Sequence, residues 1–124
     1  MLGGEFDTVV CGDVLEHLVD PWSTLREISK VLAPGGRVII SLPNIANLRI
    51  RLNLLLGRFH YQSAGILDIT HLRFFTLKTA RELIDESGYR IVSFYSVAGG
   101  RLTRPIRALF PRLFAVQMLF AAVI

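Results

Sequence analysis

Asp13-x-x-Glu16-His17 holds the densest chemistry in this sequence. If residues 13–18 form a helical turn, positions i, i+3 and i+4 share a face, so two carboxylates and an imidazole converge. Two oxygens and a nitrogen suit a hard or borderline divalent ion such as Mg²⁺ or Mn²⁺. Two other readings stand beside this one. Asp13 and Glu16 also form a helix-capping pair, the first accepting from backbone N–H groups and the second reaching back. His17, the side-chain type that exchanges a proton near neutral pH, can alternatively serve as a general base or as an orienting residue.

The surrounding pattern is that of an α/β domain. Residues 6–11 (FDTVVC) form a short apolar, β-branched run closed by Gly12 and read as a buried strand. Asp20-Pro21 supplies an N-cap and a proline at the first helical position. Trp22, Leu25, Ile28, Val31 and Leu32 follow at helical spacing until Ala33-Pro34-Gly35-Gly36 stops the helix. Residues 37–42 (RVIISL) read as a second buried strand ended by Pro43-Asn44, which completes the strand–helix–strand unit of a parallel sheet. A helix is expected over 45–56, then a loop rich in aromatics and histidines up to Phe75. Thr76 caps an amphipathic helix that ends at Ser87-Gly88. Residues 89–97 and 116–124 read as two further strands. The basic connection 99–113 is too short for a helical crossover, so those strands are expected to be antiparallel neighbours.

Composition narrows the function classes. With 124 residues the chain holds one small domain, and 52% apolar against 19% charged residues excludes disorder. The single Cys11 excludes a disulfide framework and fits a reducing, cytoplasmic compartment. The longest apolar stretch, 113–124, is 12 residues and contains Gln117, too short to span a bilayer. Residues 1–100 are electrically neutral, with ten basic and ten acidic side chains. The net charge of +4 comes from Arg101, Arg104, Arg107 and Arg112. Such a local patch points to an anionic partner or an acidic membrane surface, with the protein peripheral to it; a solvated basic loop is the plainer account. The neutral first hundred residues speak against nucleic acid.

Residues 6–44 resemble the class I S-adenosylmethionine-dependent methyltransferases, near the branch of quinone-biosynthesis O-methyltransferases and cell-surface-glycan methyltransferases. The resemblance rests on Phe6-Asp7, Val14-Leu15-Glu16-His17, Asp20-Pro21, Leu32-x-Pro34-Gly35-Gly36 and Ser41-x-Pro43-Asn44. It continues through Asp68-x-Thr70-His71-Leu72-Arg73-Phe74-Phe75-Thr76 and Ser87-Gly88-Tyr89. It implies a partial Rossmann-like sheet comprising the family's strands four to seven, with residues 1–124 as the C-terminal part of one methyltransferase domain. The family's first three strands, its glycine-rich loop and its ribose-binding acidic residue have no counterpart, and no Gly-x-Gly occurs in the chain. These residues alone are therefore expected to bind the cofactor weakly and to be inactive without the rest of the domain. An unpaired, buried-type first strand is expected to favour self-association.

The resemblance also assigns residues. Cys11, Gly12, Asp13 and Val14 would line the methionine end of S-adenosylmethionine, beyond the carboxyl ends of the strands. Some relatives hold a metal through such a cluster joined by a later histidine, which brings His71 to Asp13, Glu16 and His17 as ligands. His17 and His71 are the catalytic candidates. Asn44, Arg49, Tyr61 and Arg73, with His60, fall where this fold recognises its acceptor, and arginines with aromatics suit a sugar or phosphorylated group. Loop anchoring, Asp68 with Arg73 for instance, is the structural alternative. The activity implied is methyl transfer to a small-molecule, sugar or lipid-linked acceptor, at oxygen. The alternative is a non-catalytic module that pairs with another chain.

Overall fold

Strand β1 (Phe6–Gly12) leads through a 3₁₀ turn (Leu15–His17) into helix α1 (Pro21–Val31), and β2 (Leu32–Pro43) returns parallel to β1. Helices α2 (Leu48–Leu55) and α3 (Leu77–Glu86) follow, then β3 (Arg90–Ala98), a short α4 (Pro111–Phe114) and β4 (Ala115–Val123). The computed structural model describes residues 4–98 and 109–124. Arg101, Arg104 and Arg107, and most of the basic connection, lie outside the described residues.

The sheet order is β1-β2-β4-β3. β4 runs antiparallel to β3, as its short connection requires, and is also antiparallel to β2, so it fills the gap between them. Val38, Ile40 and Leu42 of β2 alternate with less buried residues. They join Met118, Phe120 and Ala122 of β4 in one core, which Leu25 of α1 and Leu83 and Ile84 of α3 complete. Tyr89 locks the two helices' side of the core, its hydroxyl donating to the Leu25 carbonyl at 2.6 Å.

Three local differences from the sequence pattern have physical reasons. β1 is mostly exposed: Cys11 is buried and Val9 packs against the core, but β1 is an edge strand paired with β2 alone, which leaves Phe6 and Val10 exposed. β2 begins at Leu32 rather than Arg37, because Leu32 pairs with Phe6 and the register shifts before Thr8. The shift is built from glycine. Gly35 sits at φ +77°, and a Cβ on Gly36 would stand 2.8 Å from the Ala33 carbonyl oxygen. α2 begins at Leu48 because the Asn47 side chain caps it, accepting from Arg49 N–H at 3.0 Å.

Candidate active site

The carboxyl ends of β1 and β2 and the amino end of β4 are tied by one residue. Asp13 follows β1 in the left-handed region, φ +53°. Its N–H donates to Ser41 Oγ at 3.0 Å, and its Oδ1 accepts from Gln117 Nε2 at 2.6 Å and from Ser41 Oγ at 3.3 Å. This geometry overturns the capping reading. The turn that follows is only three residues long, its N-cap is Val14, and no side chain caps it. It also overturns the helical face, because a left-handed residue cannot lie on a right-handed turn with Glu16 and His17. Asp13 stands outside the cluster those two form.

That cluster is Glu16, His17 and His71, whose donor atoms all lie within 4.8 Å of one another. Leu72 and Arg73 N–H both donate to the Glu16 carbonyl, at 2.8 and 3.0 Å, and so clamp the 3₁₀ turn to the loop that carries His71. The Glu16 side chain is 1% exposed, and neither carboxylate oxygen has a hydrogen-bond partner. Burial pushes its carboxyl pKa up, and the nearby Asp13 charge adds to the effect.

Each imidazole is fixed from behind. His71 Nδ1 lies 3.0 Å from the Ile66 carbonyl, and His17 Nδ1 lies 3.2 Å from both the carbonyl and the hydroxyl of Thr70. A carbonyl only accepts, so each neutral ring carries its proton on Nδ1 and leaves the Nε2 lone pair free. Both Nε2 atoms stand 3.9 Å from Glu16 Oε1. Thr70 is held in turn by Asp68, whose Oδ1 accepts from its hydroxyl at 2.6 Å and its amide at 2.8 Å; the same two bonds pull the Asp68 pKa down. His71 is 6% exposed and His17 37%, so His17 is the more open of the pair. A cavity of about 260 Å³ opens over the cluster, lined among others by Asp13, Asp68, Pro43 and Gln117.

The remaining sequence candidates fall elsewhere. Asn44 is fully buried and pins α4 and β4, donating to the Ala115 carbonyl at 3.0 Å and accepting from Ala46 N–H at 3.1 Å. Arg73 donates to the Val19 carbonyl at 2.8 Å and stacks on Trp22, so it does not pair with Asp68. Arg49, His60 and Tyr61 are exposed, Tyr61 edge to face with Phe59. None of these five lines the cavity. Cys11 is buried and burial raises its thiol pKa, so its side chain belongs to the core, whereas Gly12, Asp13 and Val14 are exposed at the strand end. Thr70, Ser41 and Gln117 take site roles that the sequence pattern does not assign to them. The signals were present: Asp68-x-Thr70 is a side-chain turn pattern, and Gln117 is a polar residue within an apolar strand.

A family model described as "Methyltransferase domain" matches residues 2–94. The chain belongs to this methyltransferase family. Methyltransferase relatives of known structure share the architecture. A SAM dependent methyltransferase from Archaeoglobus fulgidus superposes with a TM-score of 0.67 at 17% identity, over 98% of this chain and 61% of that one. Magnesium protoporphyrin IX methyltransferase from Synechocystis, solved with bound SAH, gives 0.60 at 19% identity, over 99% and 47%. Among curated proteins, the ubiquinone biosynthesis O-methyltransferase of Aeromonas salmonicida is 50% identical over 40 residues, 32% of this chain and 17% of that enzyme. The chain thus spans about three-fifths of the first of these structures and aligns with about a sixth of the curated relative.

Proposed function

We propose that this domain takes part in S-adenosylmethionine-dependent methyl transfer to a hydroxyl oxygen of an uncharged acceptor, assisted by a divalent ion held by Glu16, His17 and His71. The observation that carries the metal is the buried Glu16 carboxylate, which has no hydrogen bond and faces two imidazole lone pairs. A negative charge so placed is costly without a cation between the donors. Two imidazoles with one carboxylate favour Mn²⁺ or a softer ion over Mg²⁺. An ion bound there would polarise an acceptor hydroxyl and lower its pKa.

The chain's own residues supply the remaining steps. Thr70 and the Ile66 carbonyl orient the two imidazoles. With S-adenosylmethionine bound, the acceptor oxygen would attack the sulfonium methyl in line, the C–O bond forming as the C–S bond breaks and the hydroxyl proton passing to solvent. Gly12, Asp13 and Val14 form the floor for the cofactor. Gly12 has room for it, since a Cβ there would meet nothing within 4 Å. Among the described residues, the ionisable ones around the cavity are Asp13, Glu16, Asp68 and two histidines, with no lysine or arginine. Such a wall repels a phosphorylated acceptor and accepts hydrogen bonds from a sugar or other small-molecule hydroxyl. The O-methyltransferase relative favours oxygen as the acceptor atom.

A second reading keeps His17 as the general base. It is favoured by the Asp68–Thr70–His17 chain, which orients a more exposed imidazole as base-supporting groups do. One experiment separates the two: transfer of a labelled methyl group by the full-length protein, before and after chelator. Loss with EDTA and recovery with Mn²⁺ support the metal. Full activity in excess EDTA, with loss in His17→Ala, supports the base. No transfer to any hydroxyl acceptor defeats both.

A further inference from the structure

Helix α2 carries its apolar face outward. Only Ile50 within it is buried, whereas Leu52, Leu54, Leu55 and the C-capping Leu56 are exposed, Leu55 to 81%. At about 100° per residue, Leu48, Leu52, Leu55 and Leu56 fall in one stripe, with Arg49 on one flank and Arg51 on the other. The surface continues beyond the helix. Arg51 Nη2 donates to the Arg112 carbonyl at 3.3 Å, which sets α4 beside α2, and Leu109 and Phe110 before α4 are also exposed. Exposed Arg58 follows α2. No aspartate or glutamate occurs between residues 28 and 67 or after Glu86, so neither segment neutralises its own arginines.

A leucine patch rimmed by arginines has a definite chemical complement. We propose that the α2 face docks on an anionic membrane surface, its leucines entering the acyl boundary while Arg49, Arg58 and Arg112 reach lipid phosphates. Arginine suits this place, because its stem lies along apolar material while the guanidinium stays in the polar layer. A second copy of this chain fits poorly, since it would set arginine against arginine. A specific protein partner would draw on tyrosine, tryptophan and directional polar groups, which the stripe lacks; leucine is under-represented among binding hot spots. No helix among the described residues is long and apolar enough to cross a bilayer, so the contact proposed is with the surface. It is independent of the metal cluster.

Flotation tests this, since aggregates sink while vesicle-bound protein rises. Full-length protein should float with vesicles of phosphatidylcholine and phosphatidylglycerol, far less with phosphatidylcholine alone, and less as salt is raised. Leu52→Ser with Leu55→Ser should weaken partitioning by about a hundredfold or more, the loss of two buried leucines. Arg49→Glu with Arg58→Glu should remove the preference for the anionic lipid. All four side chains are exposed, so thermal unfolding should be unchanged. Absence of flotation with anionic vesicles, or flotation indifferent to both pairs, overturns the proposal. A dimer by light scattering that dissolves in the leucine pair would assign the face to a second copy instead.

Discussion

His17 and His71 meet edge to face, ring centroids 4.8 Å apart at 73°, and both place Nε2 3.9 Å from the same atom, Glu16 Oε1. The backbone clamp between Glu16 and residues 72 and 73 creates this meeting, and hydrogen bonds behind each ring orient it. Three donor atoms face one another with no proton between them when the rings are neutral, an arrangement that a cation stabilises.

Glu16→Gln keeps the shape and removes the charge. It should weaken Mn²⁺ binding by about a hundredfold or more, while the metal-free protein near neutral pH becomes more stable by about 1–3 kcal/mol, the cost of an unpaired buried polar group. Calorimetric titration and chemical unfolding of the same pair of proteins check both signs. Equal Mn²⁺ affinity in the two proteins would exclude Glu16 as a ligand.

Thr70→Val preserves volume and deletes the hydroxyl behind His17. Outer-shell losses of this kind cost about 10–100-fold in metal affinity or activity. The expected result is a drop in that range with folding largely intact. An unchanged affinity and turnover would leave Thr70 as a loop residue only.

The pH dependence of stability carries two opposite signs. Burial raises the Glu16 carboxyl above its ordinary 4.5. A carboxyl raised on folding stabilises the fold while protonated, and that contribution is lost as pH rises through the folded value. Metal-free protein should lose stability from this group as pH climbs above 4.5, and Glu16→Gln should flatten the loss. Asp68 behaves in reverse: its bonds to Thr70 hold it below 3.8, so its contribution is present above that value and is lost on acidification through the lower one. Thermal unfolding of wild type, Glu16→Gln and Asp68→Asn across pH separates the two.

Asn44→Ala should cost about 1–2 kcal/mol, because it strands the Ala46 N–H and leaves the Ala115 carbonyl with Asn47 Nδ2 as its one remaining side-chain donor. Affinity for Mn²⁺ should not change. A stable variant that loses acceptor affinity would instead restore Asn44 to the binding site.

Much of the architecture is legible in the sequence because periodicity and punctuation agree. Asp20-Pro21 starts α1, Thr76 starts α3, and the short basic connection makes β3 and β4 antiparallel. The site is legible only in outline. Glu16 and His17 are adjacent, but His71 joins them through backbone bonds that no spacing rule expresses. Asp13 belongs to the same motif on paper, yet one left-handed residue turns it toward Gln117. Asn44 and Arg73 have the side chains of ligand-binding residues and are used on carbonyl groups of their own chain. The leucines of α2 have helical periodicity, and periodicity alone does not tell which face looks inward.

The position of β4 has a consequence for how the chain is made. It is the last described strand to leave the ribosome, yet it lies between β2 and β3, hydrogen-bonded to both. Until it emerges, β3 has no partner in the sheet, and the β2 edge stands open with Val38, Ile40 and Leu42 uncovered on that side. Helices can form during synthesis, but closure of this sheet waits until β4 has left the ribosome. A chain interrupted just before Ala115 would therefore hold this sheet as two unjoined pieces rather than as a sheet trimmed at its margin.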